Sequence, residues 1–226
     1  MQIPIWFQAI DGVSAVKSAI MLLPLILALT IVAPLTGLLV TLVGYYTPFM
    51  LASAVFLCIG AGLLTTFTPE TQHPAWIGYQ VVFGVGIGLG IQQTLMIIQV
   101  VLPPDDVPIA TAMILFMQTL GGAVFIAISQ SVFQTQLIAL LRQNVPQVDP
   151  HSILNVSATQ ITTFVNGQSL ANVRGDYNKA LTTSWYPAVA MGALSIVGAL
   201  VVERRSVREA MPMLTRMGSR NKSRTP

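Results

Sequence analysis

Charged side chains are scarce in this sequence. Asp, Glu, Lys and Arg make up 8% of its 226 residues, whereas a soluble domain carries about 25%. Seven of the eleven basic residues follow Glu203, at Arg204, Arg205, Arg208, Arg216, Arg220, Lys222 and Arg224. The sequence before them consists of long uncharged apolar runs, and the mean hydropathy of the chain is +0.72. This composition excludes an ordinary soluble domain and predicts a helical membrane protein.

Cysteine pairs and catalytic residue sets are also lacking. Cys58 is the only cysteine, so the chain can form no internal disulfide. His73 and His151 lie in predicted loops without partners at metal-ligand spacing, and no Ser/His/Asp or phosphate-binding arrangement is present. We therefore predict that the chain is not an enzyme and uses no cofactor or metal. A basic tail beside an apolar helix favours contact with anionic lipid, and we expect no binding of nucleic acid.

Five apolar runs are long enough to cross a bilayer, which takes roughly 20 helical residues. We predict membrane spans at residues 18–43, 47–66, 76–102, 107–133 and 181–202, and hence an all-α membrane protein. Residues 1–10 are apolar but too short to span. We expect them to be the end of a truncated helix, with Trp6 and Phe7 at the membrane interface. Asp106 is the predicted N-cap of the fourth span, and Pro108 lies in its first turn.

The basic tail, residues 203–226, predicts the orientation of the chain. Segments rich in Lys and Arg beside membrane helices remain cytoplasmic, so we place the tail in the cytoplasm. Counting back through the spans puts the long polar segment 134–180 outside, as a folded-back loop with some short helix. Asn155 begins a glycosylation sequon in this outer segment, and we predict a glycoprotein modified there. Asn221 begins a second sequon, in the cytoplasmic tail.

The third predicted span contains a run of alternating glycines. They are Gly84, Gly86, Gly88 and Gly90. The run holds two pairs spaced four residues apart, and glycines at that spacing let a neighbouring membrane helix approach closely. We expect these four glycines, with Gly121 and Gly122 in the fourth span, to pack helices together. A bend that serves a rocking motion is the alternative interpretation.

Glutamines stand out among the polar side chains of the spans. The candidates are Gln92, Gln93, Gln99 and Gln118. An amide in hydrocarbon is costly unless it is hydrogen-bonded, so these side chains must face other helices or a water-filled cavity. Gln92 and Gln99 are seven residues apart and share a helix face, and Gln93 lies about 100° round the helix. We interpret all four as candidates for lining a cavity that hydrogen-bonds a mostly apolar solute. Hydrogen bonding between helices is the alternative.

Ionisable side chains are missing from the interiors of all five predicted spans. Asp, Glu, Lys, Arg and His at membrane depth are the usual proton relays of transporters. If the protein is coupled to protons, we expect the relay to lie outside this chain.

Short motifs follow one another in a characteristic order. They are Ile3-Pro4-Ile5-Trp6-Phe7-Gln8-Ala9, Met21-Leu22-Leu23-Pro24-Leu25, Gly44-Tyr45-Tyr46-Thr47-Pro48-Phe49-Met50, Gly60-Ala61-Gly62-Leu63-Leu64, Trp76-Ile77-Gly78-Tyr79-Gln80, Asp106-Val107-Pro108-Ile109-Ala110-Thr111-Ala112 and Phe116-Met117-Gln118-Thr119-Leu120-Gly121-Gly122-Ala123. Together they resemble the fourteen-helix drug:proton antiporter branch of the major facilitator superfamily, particularly fungal toxin and multidrug efflux pumps. The resemblance extends to about Ser206. Gly37 to Gly44 matches the family's cytoplasmic G-x-L-x-x-x-x-G pattern but lacks the charged pair that some members carry there.

The resemblance implies an export pump of two six-helix bundles around a central cavity that opens alternately to each side. This chain would be the carboxy-terminal half only, namely five helices and the end of a sixth. We expect an efflux transporter, or a truncated half of one, that exports drugs or fungal secondary metabolites and mycotoxins. The alternative is a non-transporting membrane protein, such as a decayed or regulatory half-transporter.

The partners expected from the resemblance follow from this function. They are the lipid bilayer, a small-molecule substrate, protons, and the missing amino-terminal bundle or another copy of the chain. We expect a multi-pass protein of the plasma membrane.

Overall fold

The structure is a computed structural model that describes residues 2–71, 73–146 and 168–201. Within these ranges the chain forms eight helices and no strand. The helices are α1 (Ile3–Ile10), α2 (Ala15–Ile20), α3 (Leu23–Val43), α4 (Thr47–Thr65), α5 (His73–Val101), α6 (Val107–Asn144), α7 (Gln168–Thr183) and α8 (Tyr186–Val201).

Five helical segments are long and apolar enough to cross a membrane. They are Ala15–Val43, Thr47–Thr65, Pro74–Gln99, Val107–Asn144 and Leu170–Val201. The predicted all-α membrane fold with five spans is confirmed.

Proline and glycine mark several helix ends. Pro24, Pro48 and Pro108 lie in the first turns of α3, α4 and α6, where a missing N–H loses no helical hydrogen bond. Gly44 ends α3 with a φ of +84°, a left-handed conformation that glycine adopts without steric cost. Asp106 is the residue before α6, as predicted, but its side chain forms no capping hydrogen bond.

The helix α6 is much longer than the predicted fourth span. Its 38 residues extend for about 57 Å, nearly twice the roughly 30 Å hydrocarbon core of a bilayer. The helix continues past the predicted end at residue 133 because its apolar spacing continues. Phe133, Leu137 and Leu141 lie one helical turn apart and are all buried.

The segment 134–180 is largely helical where the structure describes it. The end of α6 and most of α7 fall within this segment, and these two helices pack against each other. Its location on the extracytoplasmic side stays a prediction. Asn155 and the basic tail lie outside the described residues, so the predicted glycosylation and orientation also stay predictions.

The helix α5 packs along both α3 and α4, and α4 also packs against α8. The alternating glycines lie in these contacts. A Cβ added at Gly84 would lie 2.6 Å from the carbonyl oxygen of Leu25 in α3. A Cβ added at Gly86 would lie 2.7 Å from the backbone nitrogen of Leu57 in α4.

Gly88 and Gly90 likewise face α3 and α4, respectively. A Cβ at Gly88 would lie 2.9 Å from the Cβ of Val32 in α3, and one at Gly90 would lie 2.5 Å from the Oγ of Ser53 in α4. Gly84 and Gly88, four residues apart, therefore both face α3, whereas Gly86 and Gly90 both face α4. At Gly121 and Gly122, by contrast, an added Cβ would meet no atom within 4 Å among the described residues.

The largest buried cluster gathers helix ends at one end of the bundle, and we call it the end cluster. It contains Ile3, Trp6, Phe7, Ala9, Ile10, Met21, Leu64, Phe67, Trp76, Phe133, Leu137, Leu141, Val145, Val173, Tyr177, Ala180, Leu181 and Trp185. Trp6 and Phe7 belong to this cluster, with side chains 1% and 0% exposed, and their predicted position at a membrane interface stays a prediction. Both rings pack edge-on against aromatic partners, with Trp6 and Phe67 centroids 4.8 Å apart and Phe7 and Trp76 centroids 5.1 Å apart.

Candidate functional site

A cleft of about 290 Å³ lies among α4, α5, α6 and α8. Its walls are mostly apolar, and the side chains that form them are Met50, Ala54, Leu57, Ile87, Ile91 and Ala199. No charged side chain occurs among the described residues that line it. The volume is at the lower limit for a small-molecule site, and such walls favour an uncharged, mostly apolar solute.

The hydroxyl groups that line the cleft donate to backbone carbonyls. Ser53 Oγ donates to the carbonyl of Gly86 at 2.7 Å, and Ser195 Oγ donates to the carbonyl of Met191 at 2.8 Å. Thr94 Oγ1 lies 3.5 Å from the carbonyl of Gly90. These hydroxyl protons are therefore already engaged by the helices.

The amide of Gln93 is in a different situation. Its side chain is 1% exposed and lines the cleft, yet neither Oε1 nor Nε2 has a hydrogen-bond partner in the described part of the chain. A buried, unpaired polar group destabilises a fold by roughly 1–3 kcal/mol. Gln93 therefore adds a polar but buried side chain to the wall of the cleft.

The structure divides the four candidate glutamines. Gln93 and Gln118 both line the cleft, and Gln118 is exposed on α6. Gln92 lies instead against α3, since a Cβ added at Gly37 would be 3.6 Å from its Cγ. Gln99 is exposed, and it is not among the residues that line the cleft.

Sequence reasoning missed two further buried amides. Gln80 in α5 is 0% exposed, and both of its amide atoms lack a described partner, but it does not line the cleft. Asn178 in α7 is bonded at both ends, since Trp6 Nε1 donates to its Oδ1 at 2.6 Å and its Nδ2 donates to the carbonyl of Phe67 at 3.0 Å. For Gln80 the available signal was an amide inside a predicted span, whereas Asn178 lies in a segment that reads as a loop.

A second cavity, of about 410 Å³, lies at the opposite end of the bundle from the end cluster. It is lined by Val43, Tyr45, Thr47, Pro48, Leu51, Ala199 and Leu200. It is larger than the cleft, but none of the candidate glutamines lines it. The cleft is therefore the better candidate for solute binding.

Comparison with known proteins identifies relatives over nearly the whole chain. The MFS-type efflux pump MFS1 of Trichophyton rubrum is 46% identical over 206 residues, which is 91% of this chain and 38% of the relative. The efflux pump roqT of Penicillium rubens is 44% identical over 207 residues, 92% of this chain and 38% of the relative. The MFS acetylaranotin efflux transporter ataA of Aspergillus terreus is 44% identical over 198 residues, 88% of this chain and 44% of the relative.

No family model matches the chain. The chain spans less than half the length of these curated relatives. Five apolar helices and this partial coverage are consistent with the carboxy-terminal half of such a pump. The chain therefore belongs to the major facilitator superfamily and corresponds to the carboxy-terminal half of one of its efflux pumps.

Proposed function

We propose that the chain forms half of an efflux transporter that exports small, mostly apolar organic compounds such as drugs and fungal secondary metabolites. The observation that carries this proposal is the cleft, which combines apolar walls with the buried, unpaired amide of Gln93. Relatives named as efflux pumps support the same class of activity. One of them is named for the efflux of acetylaranotin.

The cleft is suited to reversible binding of such compounds. Its apolar side chains hold a hydrophobic solute without strong directional contacts, so a solute can also leave. The amide of Gln118, which is exposed and lines the cleft, adds one orienting interaction, whose free energy is a few kcal/mol at most because hydrogen bonds exchange with water on release. A transporter needs this balance, because tight binding slows release on the far side.

Alternating access is the mechanism that we propose. The membrane part of α6 has few contacts with α5 and α8, and Ile109, Met113 and Phe116 are 60–65% exposed on it. A change in the tilt of this part of α6 would therefore break few contacts with α5 and α8. In the proposed transporter, the amino-terminal bundle or a second copy of the chain supplies the other wall, and the two bundles rock about the site between them.

Proton coupling is the finer part of the proposal. Ionisable groups at membrane depth are the usual proton relays of transporters, and the interiors of the five predicted spans contain none. In the proposed transporter, the amino-terminal bundle supplies the relay. We also propose a plasma-membrane location with a cytoplasmic carboxy terminus.

A chimera tests the proposal directly. The chain replaces the matching segment of the Trichophyton rubrum pump, and the chimera is expressed in yeast cells that lack their own drug pumps. We expect the cells to retain less of a fluorescent apolar dye than cells with an empty vector. Dye retention is measured by flow cytometry, before and after collapse of the proton gradient with an uncoupler.

Two controls define the outcome. The unaltered pump sets the full effect, and the 226-residue chain alone is expected not to export, since one bundle supplies only one wall of the site. A chimera that reaches the plasma membrane but leaves dye retention at the empty-vector level would contradict the proposal. It would favour a non-transporting half.

A further inference from the structure

The second cavity, of about 410 Å³, is bounded by three helix ends. Val43 is the last residue of α3, Tyr45 lies in the turn to α4, and Ala199 lies in the last turn of α8. Along α4, Pro48 at the cavity and Leu64 in the end cluster are separated by about 24 Å. This distance is close to the roughly 30 Å hydrocarbon core of a bilayer. The cavity therefore lies at the depth where the acyl chains of one leaflet meet their headgroups.

The rim of the cavity is apolar and exposed. Val43, Tyr45 and Leu200 are 48%, 49% and 64% exposed, whereas Ala199 on its inner wall is 4% exposed. The helices that form the rim cross the membrane, so its exposed apolar side chains contact lipid. Tyrosine is enriched at the interface between membrane and water, which suits the position of Tyr45. The opening of the cavity is therefore accessible from the bilayer.

The size and the walls of the cavity fit an acyl chain. At about 30 Å³ for each group the size of a water molecule or a methylene, the cavity holds roughly fourteen such groups. Val43, Leu51 and Leu200 supply apolar surface, and no charged side chain is among the described residues that line it. An acyl chain needs no hydrogen-bond partner in such a site. The bilayer also presents acyl chains to the rim at a far higher concentration than any dissolved apolar solute reaches.

The charge that follows α8 in the sequence identifies the headgroup. A chain advances by at most about 3.6 Å per residue, so Arg204 lies within about 11 Å of Val201, the last residue of α8. Residues 203–208 contain three arginines and Glu203, which leaves a net charge of +2. Each Lys or Arg near a membrane surface favours anionic lipid by about fivefold. A phospholipid with an anionic headgroup is therefore the partner that matches both the cavity and the adjacent charge.

We propose that the second cavity binds an acyl chain of an anionic phospholipid, whose headgroup pairs with Arg204, Arg205 and Arg208. Asp105 and Asp106 belong to the turn between α5 and α6 and are not among the residues that line the cavity. In the predicted orientation this end of the bundle faces the cytoplasmic leaflet, which is the leaflet rich in anionic lipid. The inference concerns lipid binding alone and does not depend on the proposed export function.

A tryptophan introduced at the rim measures which lipid occupies the cavity. The three tryptophans of the chain, Trp6, Trp76 and Trp185, all lie in the end cluster, so Tyr45→Trp adds a signal at the opposite end. The full 226-residue chain is reconstituted in phosphatidylcholine vesicles that contain phosphatidylserine or phosphatidylcholine with brominated acyl chains. Bromine quenches tryptophan fluorescence on contact, and subtraction of the wild-type emission isolates the introduced residue. We expect brominated phosphatidylserine to be preferred at least fivefold, the contribution of one net cation.

A second tryptophan provides the control for ordinary lipid contact. Leu38 is 64% exposed on α3 and does not line the cavity. We expect nearly equal quenching of Leu38→Trp by the two brominated lipids. The comparison is between two lipids at one position, so a difference in depth between the two tryptophans does not affect it.

Two triple variants in the Tyr45→Trp background remove equal charge at different distances from α8. The proximal variant replaces the three arginines of the proposed headgroup site with glutamine, and the distal variant replaces Arg216, Arg220 and Lys222 in the same way. We expect the proximal variant to quench nearly equally with both lipids and the distal variant to keep the preference. Neither variant changes a residue of the eight helices, so both test lipid preference without altering their packing.

The inference would be overturned by equal quenching of Tyr45→Trp by the two lipids, or by the same preference at Leu38→Trp. A preference that survives in the proximal variant, or that the distal variant loses as fully, would overturn it as well. The dye-export chimera keeps the two proposals apart. Lipid preference without export would reject the transport function alone, and export without lipid preference would reject the lipid site alone.

Discussion

The end cluster and the cleft differ in whether their buried amides are hydrogen-bonded. In the end cluster, Asn178 is bonded at both atoms, to Trp6 at 2.6 Å and to the carbonyl of Phe67 at 3.0 Å. In the cleft, the side chain of Gln93 is even less exposed, at 1% against 8% for Asn178, but both of its amide atoms are unpaired. Unpaired burial destabilises a fold. The difference indicates that Asn178 is satisfied by partners within the end cluster, whereas Gln93, like Gln80, has no hydrogen-bond partner among the described residues.

The two regions also differ in how far apart in the sequence the residues that they bring together lie. The Trp6–Asn178 hydrogen bond connects residues 172 positions apart, and the end cluster includes residues of α1, α5, α6 and α7. The cleft is built from the sides of helices, with α6 attached loosely. Contacts between distant parts of the sequence therefore concentrate in the end cluster, whereas α6 has few contacts with α5 and α8 around the cleft.

Removing the close contact between α4 and α5 is expected to have the largest effect, because it disrupts the wall that holds Gln93. In Gly86→Leu, the new side chain would begin 2.7 Å from the Leu57 backbone, and overpacking costs typically 1–3 kcal/mol or more. We expect little folded protein in detergent, measured by size-exclusion chromatography. Gly122→Leu is the control, because its added Cβ meets open space. Equal recovery of the two variants would contradict the packing interpretation.

Breaking the end cluster is expected to have the next largest effect. Asn178→Leu leaves Trp6 Nε1 and the carbonyl of Phe67 buried without their partner, at roughly 1–3 kcal/mol for each group. We expect a clearly lowered thermal unfolding temperature. Ser195→Ala provides the comparison, since it removes only a hydrogen bond within one helix. An unfolding temperature unchanged in Asn178→Leu would show that the end cluster does not depend on this amide.

The corresponding change in the cleft is expected to have the opposite sign. Gln93→Leu removes an unpaired buried amide, so stability should stay constant or rise by about 1 kcal/mol. Export by the chimera should fall at the same time. Thermal unfolding and dye retention are measured on the same preparation. A destabilised Gln93→Leu chimera with unchanged export would make Gln93 a structural residue and remove the contrast between the two regions.

Substitutions of Gln118 and Gln92 test which side of α5 the solute contacts, and we expect smaller changes in export and stability from them. Gln118 is exposed and lines the cleft, whereas Gln92 lies beside Gly37 of α3. We expect Gln118→Leu to change the export rate while shifting stability by less than about 0.5 kcal/mol. Gln92→Leu should leave export unchanged. A transport defect confined to Gln92→Leu would place the solute on the α3 side of α5 instead.

The smallest expected change is in glycosylation, and it determines which side the end cluster faces. If residues 134–180 lie outside, Asn155 carries the glycan and Asn221 does not. We expect a glycosidase-sensitive shift on gel electrophoresis that Asn155→Gln abolishes and Asn221→Gln preserves. Dependence of the shift on Asn221 would reverse the predicted orientation and place the end cluster on the cytoplasmic side.

The architecture was predictable because the bilayer imposes it. A span needs roughly 20 apolar residues, and the runs around α3, α4 and α5 satisfy this with proline and glycine at their ends. The helix α6 exceeded its prediction because Leu137 and Leu141 continue an apolar face that packs on α7, not on lipid. Hydropathy alone does not distinguish these two environments.

The cleft was only half predictable. Helical geometry groups Gln92 with Gln99 and separates Gln93 from both, but it does not say which neighbouring helix each face meets. That depends on the placement of α3 and α4 beside α5, which is tertiary information. The Trp6–Asn178 hydrogen bond was beyond reach for the same reason, because its two partners come from opposite ends of the sequence.

The uninterrupted length of α6 has a mechanical consequence. Gln118 at the cleft and Leu137 in the end cluster lie on the same 38-residue helix, about 28 Å apart along its axis. A rod of that length converts a tilt of about 5° into a displacement of about 2.5 Å at its far end. Any tilt of α6 at the cleft would therefore also displace the residues of α6 that pack against α7 in the end cluster.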